Sequence, residues 1–155
     1  MIHNEVKILD FKPEYAKHFY ALNHAWIKKY FVMEEMDHKT LEHAQEYIID
    51  KGGQIIFAEL EGKIVGCCAL LKVNEGLYEL AKMAVDPASQ GKHIGFLLGE
   101  AVIAKAKTLG AKKLFLESNS KLTPAINLYR KLGFKELPFH PSEYARCNVQ
   151  MELEL

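Results

Sequence analysis

Tyr78-Glu79-Leu80-Ala81-Lys82-Met83-Ala84-Val85, closed by Asp86-Pro87 and followed by Gln90-Gly91-Lys92-His93-Ile94-Gly95, decides how this chain is read. The first part is an apolar run of strand length. After the loop, Ile94, Leu97, Leu98, Ala101 and Lys105 recur at the i, i+3, i+4, i+7 spacing of one helix face. A strand that enters a helix through a glycine-bearing loop suits an anion. Glycine permits the tight turn, the first helical turn leaves N–H groups without partners, and the helix dipole favours negative charge there. The junction predicts a phosphorylated ligand. It is not a Walker loop, because the Gly-Lys-Ser/Thr ending is missing. Nor is it a dinucleotide fingerprint, because His93 stands where a small residue is needed.

A second segment narrows the reading: Leu122-Thr123-Pro124-Ala125-Ile126-Asn127-Leu128-Tyr129-Arg130-Lys131-Leu132-Gly133-Phe134. In this order the two segments resemble the acyl-CoA-binding core of the GNAT family of N-acetyltransferases, over roughly residues 54–136. The family loop is usually Gln/Arg-x-x-Gly-x-Gly/Ala. Gln90 and Gly95 match its ends, and His93 replaces the central Gly. The Ala-x-x-x-Tyr-x-x-x-Gly-Phe pattern matches in full at Ala125, Tyr129, Gly133 and Phe134.

The bulk numbers fit such a chain. At 155 residues one domain is expected, residues 1–155, able to bury a core without staples. Lys plus Arg equals Asp plus Glu at 20 each, so no net field draws nucleic acid or an anionic membrane. No basic recognition face for DNA is found, and no apolar run approaches the ~20 residues of a membrane span. Met1-Ile2-His3-Asn4-Glu5 lacks the layout of a secretory signal. Cys67, Cys68 and Cys147 form no C-x-x-C pair and read as small core hydrophobes in a reducing cytoplasm. His18, His24, His38, His43 and His140 form no ligand cluster, so no metal is expected.

Periodicity and turn residues give the element order. A strand at Glu5–Leu9 precedes a helix from Pro13 to Tyr30 with the stripe Tyr15, Phe19, Leu22, Trp26 and Ile27 or Tyr30. A second helix is expected from Lys39 to Ile49. Strands at Ile55–Leu60, Ile64–Val73 and Leu77–Val85 are joined by hairpin-length turns. After the long helix come a strand at Lys113–Glu117, a helix at Ala125–Leu132, and strands at Phe134–Leu137 and Arg146–Leu153. This is an α/β chain with a mixed central sheet of about seven strands flanked by helices on both faces, an order that agrees with the GNAT-like fold.

The resemblance implies acetyl-CoA as cosubstrate. Backbone N–H groups of Gln90, Gly91, Lys92, His93, Ile94 and Gly95 would hold the pyrophosphate, with Lys92 adding charge near the ribose phosphate and the His93 ring exposed. In the family the strand before the loop splays from its neighbour and pairs with pantetheine amides, here along Met83 and Val85. Glu79, Ala81, Met83 and Val85 would share one face of that strand. The Met83 N–H would stabilise the oxyanion. Tyr129 lies where a family tyrosine protonates the departing thiolate. The family's Asn near the second segment is Leu122 here, and Asn119 or Asn127 would take its place. Glu79 stands where some members carry a general base; the alternative is a carboxylate paired at the strand's wet end. Lys82 either snorkels or pairs with an acid from the first two helices.

The acceptor would lie between the first helices and the loop before the last strand. Trp26, Tyr30 and Glu34 suit an ammonium. Arg146 could grip a carboxylate bidentately; the alternative is a surface pair with Glu143 or Glu35. The expected reaction moves acetyl from acetyl-CoA to a primary amine of a small, amino-acid-like molecule by direct attack in a ternary complex. A CoA-binding module without turnover and a protein N-acetyltransferase are the competing readings, and a homodimer is left open.

Overall fold

The computed structural model describes residues 5–155. Of the stretch read for a leader, Met1 to Glu5, residues 1–4 lie outside the described residues. The elements are β1 (Val6–Asp10), α1 (Ala16–Tyr30), α2 (Glu35–Glu42), β2 (Gln54–Leu60), β3 (Lys63–Asn74) and β4 (Leu77–Val85). They continue with α3 (Ile94–Thr108), β5 (Lys113–Ser118), α4 (Thr123–Leu132), β6 (Lys135–Leu137) and β7 (Val149–Glu154). One mixed seven-stranded sheet runs in the order β1-β2-β3-β4-β5-β7-β6, with only the β4–β5 contact parallel.

Each face of the sheet carries its own apolar layer. On one side Ile94, Leu98, Val102 and Ala106 of α3, with Ile126 of α4, cover Leu70, Leu80, Leu114, Leu116 and Met151. On the other, Phe19 and Ile27 of α1, Leu41 of α2 and Ile48 cover Ile55, Phe57, Cys67 and Ala84. The α3 stripe differs from the expected one. The buried positions fall every fourth residue from Ile94, while Lys105 leaves the core to pair with Asp10 at 3.1 Å. In α1 the buried line is Phe19, Asn23 and Ile27, and Tyr30 is exposed. Asn23 meets the demand of its buried amide by donating to the Phe19 carbonyl at 3.0 Å and to Cys67 Sγ at 3.3 Å.

The second helix is not one unit. It starts at Glu35, because the Glu34 N–H donates to Asp37 Oδ2 at 2.9 Å and caps it there. It breaks at His43 (φ −130°, ψ 48°) and resumes as a π-helical turn over Gln45–Ile49. The last strand also begins later than expected, at Val149, leaving residues 138–148 irregular.

Two irregularities in β4 open the molecule. Ala69 pairs with Ala81 and Cys67 with Ala84, so Lys82 and Met83 together face Cys68. Lys82 takes φ +56° to make this bulge. The extra residue reverses the alternation. Tyr78, Leu80, Met83 and Val85 pack toward α3 and α4, while Ala84 packs toward α1 and α2. Glu79 therefore does not share a face with Met83, and the expected single face fails at the bulge. The second irregularity is the short parallel pairing. β4 and β5 pair only at Leu77–Lys113, Tyr78–Leu114 and Glu79–Phe115. Beyond it β5 continues beside β7 and β4 beside β3, so the two strands part like a V.

Candidate active site

The V holds a cleft of about 1060 Å³ reaching from the loop before α3 to the loop before β7. At one end Gln90, Gly91, His93, Ile94 and Gly95 line it. Gly91 has φ +84°, and His93, the residue capping α3, is also left-handed at φ +61°. His93, where the family loop has Gly, thus takes the conformation in which a Cβ is costly, with its residue exposed. The first intrahelical acceptor is the His93 carbonyl, which takes the Leu97 N–H at 3.0 Å. The N–H groups of Ile94, Gly95 and Phe96 are thus left at the mouth of the helix. Gly95 permits close approach: a Cβ there would sit 3.2 Å from Leu128 Cδ2 and 3.8 Å from Met83 Sδ. Lys92 is exposed and stays outside the cleft lining.

Along the middle, the free edge of β4 from Leu80 to Val85 faces α4, which presents Ala125, Leu128 and Tyr129. Burial pushes the Tyr129 phenol far above its ordinary range, so it keeps its proton at neutral pH. Its ring packs edge-on against Phe134, with centroids 6.2 Å apart. Asn127 is exposed and off this face of α4, which corrects its expected contact with the cofactor. Asn119 does line the cleft, but both ends of its amide are occupied. The Nδ2 group donates to the Arg146 carbonyl at 2.7 Å, and Oδ1 accepts from the Lys121 N–H at 2.9 Å.

The far end lies on the α1–α2 side of the sheet. Trp26, Tyr30 and Phe31 come from α1 and its exit, and Pro141 to Tyr144 come from the loop before β7. Glu79 enters from β4 and Glu117 from β5. Leu114 and Leu116 face the other way, so Phe115 and Glu117 share the face of Glu79. Gln150 of β7 sits beside them and is 3% exposed, although its alternation with Val149 and Met151 reads as a solvent position. It donates to Glu117 Oε2 at 2.8 Å, and the Ser142 hydroxyl donates to Glu117 Oε1 at 2.9 Å. Glu79 has no hydrogen-bond partner among the described residues. Burial raises its carboxyl most; the charges of Glu117 and Glu143 add and Lys82 opposes, leaving it at about 7.

Behind these acids lies an ionic hub centred on Asp37, which is fully buried. Lys82 Nζ donates to Asp37 Oδ1 at 2.5 Å. Arg146 grips the same carboxylate with both arms, Nη1 to Oδ2 and Nη2 to Oδ1, each at 2.7 Å. Glu34 takes Arg146 Nη1 at 3.4 Å and the Ala145 N–H at 2.9 Å. The Tyr144 hydroxyl accepts from Lys82 Nζ at 3.1 Å, and both cations lie 4.6 Å from its ring centroid. Burial alone would raise the Asp37 carboxyl, but the Arg146 hydrogen bonds and the Lys82 charge hold it at about 2. Lys82 thus pairs with an acid of the second helix. Arg146 pairs with neither Glu143 nor Glu35, and its fork is filled by Asp37. Glu34 likewise spends its carboxylate inside the protein.

Glu117 and Gln150 are absent from the residues singled out by sequence, while Asp37 and Tyr144 fall within the two regions expected at the acceptor but without the pairing they make here. The signal for Glu117 lay in its strand, where Leu114 and Leu116 alternate with Phe115 and an acid. Burial raises the thiols of Cys67, to about 12, and of Cys68, so neither supplies a thiolate nucleophile. Among the described residues no three His, Cys, Asp or Glu side chains gather as a metal site, and no helix is long and apolar enough to cross a membrane.

Comparison with known proteins meets this geometry. An uncharacterized N-acetyltransferase of Schizosaccharomyces pombe is 27% identical over 124 residues, 79% of this chain and 76% of that one. An IAA acetyltransferase of Azospirillum brasilense is 37% identical over 90 residues, 57% of this chain and 59% of that one. An acetyltransferase of Salmonella typhimurium, solved with its cofactor acetyl-CoA, superposes with a TM-score of 0.75 at 18% identity, covering 97% of this chain and 94% of that one. The model of the acetyltransferase (GNAT) family matches residues 15–134, and the chain belongs to that family of acyl-CoA-dependent N-acyltransferases.

Proposed function

We propose that the chain moves acetyl from acetyl-CoA to a primary amine of a small molecule by direct attack within the cleft. The single observation that carries this reading is the parting of β4 from β5. It frees a strand edge between a helix N-terminus suited to pyrophosphate and a buried carboxyl poised at about 7. Loop 90–95 takes the phosphates, and the edge through Met83 and Val85 pairs with the pantetheine amides. The acceptor arrives as an ammonium; Glu79 takes one proton from it, directly or through a water, and passes it to solvent, and the freed nitrogen attacks the thioester carbon. The Met83 N–H steadies the oxyanion, the nitrogen gives up its second proton to Glu79, the C–S bond breaks, and Tyr129 protonates the sulfur. Net, one proton of the ammonium ends on the CoA thiol and one in solvent.

Two features favour turnover over mere CoA binding. A holding module has no use for a carboxyl tuned to neutrality, nor for a protonated phenol beside the β4 edge. The hub favours a small acceptor over a polypeptide, since Asp37 and Glu34 tie α2 to the loop carrying Ala145 and Arg146. An acceptor carboxylate at Arg146 loses its support, because Asp37 already fills the fork. Three buried free thiols fit a reducing compartment such as the cytoplasm. Thiol release from acetyl-CoA, measured across an amine library, tests the proposal. Amine-dependent release with acetylated product is expected; CoA binding without release under any amine refutes it.

A further inference from the structure

The charges at the acceptor end do not balance. In the hub, Lys82 and Arg146 face Asp37 and Glu34, two cations against two anions, so it closes on itself. Lys121, which also lines the cleft, donates to the Tyr30 carbonyl at 3.1 Å and lies 4.2 Å from the Phe31 ring centroid, neutral partners that leave it a single uncancelled positive charge against three further carboxyls. Lys131 sits over Phe96 on the α3 side. That leaves Glu79, Glu117 and Glu143 lining the same cleft with no cationic side chain paired to them among the described residues. The two hydrogen bonds to Glu117 come from neutral donors, Ser142 and Gln150, which fix the carboxylate without cancelling its charge. Glu79 accepts no hydrogen bond at all among the described residues, although it is set deep between the strands. A carboxyl left so, with a second carboxylate on the adjoining strand, suits a positive group brought from outside.

Strand geometry sets the spacing of that charge. Glu79 lies beside Phe115, and Glu117 is two residues further along β5. With a rise of about 3.3 Å per residue and strands about 4.8 Å apart, the two acids start roughly 8 Å from each other before the splay widens the gap. Phe115, beside Glu79 and two residues before Glu117, adds an apolar surface, and Trp26 and Tyr30 line the same cleft. Acid, apolar surface and acid match a short alkyl chain with an amine at each end.

Resting on the transferase reading above, we propose that the acceptor is a small dication: one amine is acetylated beside Glu79 while a second ammonium is held by Glu117, with Glu143 at the rim. Glu117 is then the residue that selects the acceptor.

The test uses acceptors matched in length and differing at the far end: 1,4-diaminobutane, butylamine and 4-aminobutanoate. With acetyl-CoA saturating, kcat/KM for the diamine is expected to exceed that for butylamine by about tenfold or more, and 4-aminobutanoate should fall below both. Glu117→Gln should shrink the diamine-to-butylamine ratio to about threefold or less. Calorimetry of the diamine and butylamine on CoA-loaded wild-type protein reads the same preference without a variant, and a diamine bound no more tightly than butylamine overturns the proposal. So does an undiminished ratio in folded Glu117→Gln protein. Butylamine turned over as well as the diamine also overturns it, while leaving the transferase reading intact. Release of thiol with no amine at all refutes the transferase reading first, and this proposal with it.

Discussion

Replacing Glu79 by Gln keeps the size of the side chain and removes its titration. In the wild type the carboxyl sits at about 7. Its deprotonated share then rises from about one-tenth at pH 6 to about nine-tenths at pH 8, each unit being a factor of ten in the ratio of forms. If this carboxylate takes the proton, kcat/KM for an alkyl amine, itself protonated with a pKa near ~10 throughout the window, climbs roughly tenfold over those two units. Burial contributes most to the shift, the Glu117 charge adds and the Lys82 charge opposes. Glu117→Gln should therefore move the acidic limb to lower pH, and a neutral residue at Lys82 should move it higher. A merely structural carboxylate would not give those opposite displacements. Initial rates of thiol release from about pH 5.5 to pH 9, at saturating acetyl-CoA, read the profile. An acidic limb that survives Glu79→Gln unchanged would refute the assignment and pass the proton to a water chain.

Three further outcomes follow from the same geometry. Tyr129→Phe should lower kcat by roughly 10- to 10³-fold with acetyl-CoA affinity nearly intact, because only the proton for the leaving sulfur is lost. Gly95→Asp should abolish CoA binding in calorimetry while circular dichroism stays native, since it crowds Leu128 and sets a negative charge where phosphate belongs. Asp37→Asn should cost about 3–5 kcal/mol in urea unfolding at pH 7, by leaving two enclosed cations short of their carboxylate. The wild type carries the matching pH signature. With Asp37 lowered from 3.8 to about 2, its contribution is fully present above pH 4 and is lost as pH falls toward 2, on the order of 2 kcal/mol. The Asn variant should lack that loss.

The strands and the glycine-bearing junction before α3 were legible because each rests on a local rule. Gly91 and Gly95 mark a turn and a close approach, and the Ala125-to-Phe134 pattern places Tyr129 on the inner face of α4. The seven strands follow from apolar runs and short turns. What alternation could not reveal is the bulge at Lys82, since an extra residue held in place by the partner strand and by Asp37 leaves no trace in spacing. It put the side chains of Glu79 and Met83 on different faces of the strand. The acceptor end was the least legible part. Arg146 reads as an open fork until the fold brings Asp37, 109 residues away in sequence, between its two arms. Gln150 reads as solvent-facing until β6 and the 138–148 loop close over it. These contacts join distant segments through side chains that look alike in sequence whether they meet a ligand or each other.

In direct transfer from acetyl-CoA to an amine no acyl group rests on the protein. Acetyl-CoA labelled with ¹³C in its carbonyl, mixed with protein at comparable concentration and followed by NMR and intact-protein mass, distinguishes this from an acyl-enzyme route. The label is expected to stay in the thioester until an amine is added. It then appears in one amide per CoA thiol released, with the mass of the protein unchanged throughout. Label on the protein before amine is added, or amine-independent release of thiol, would contradict direct transfer.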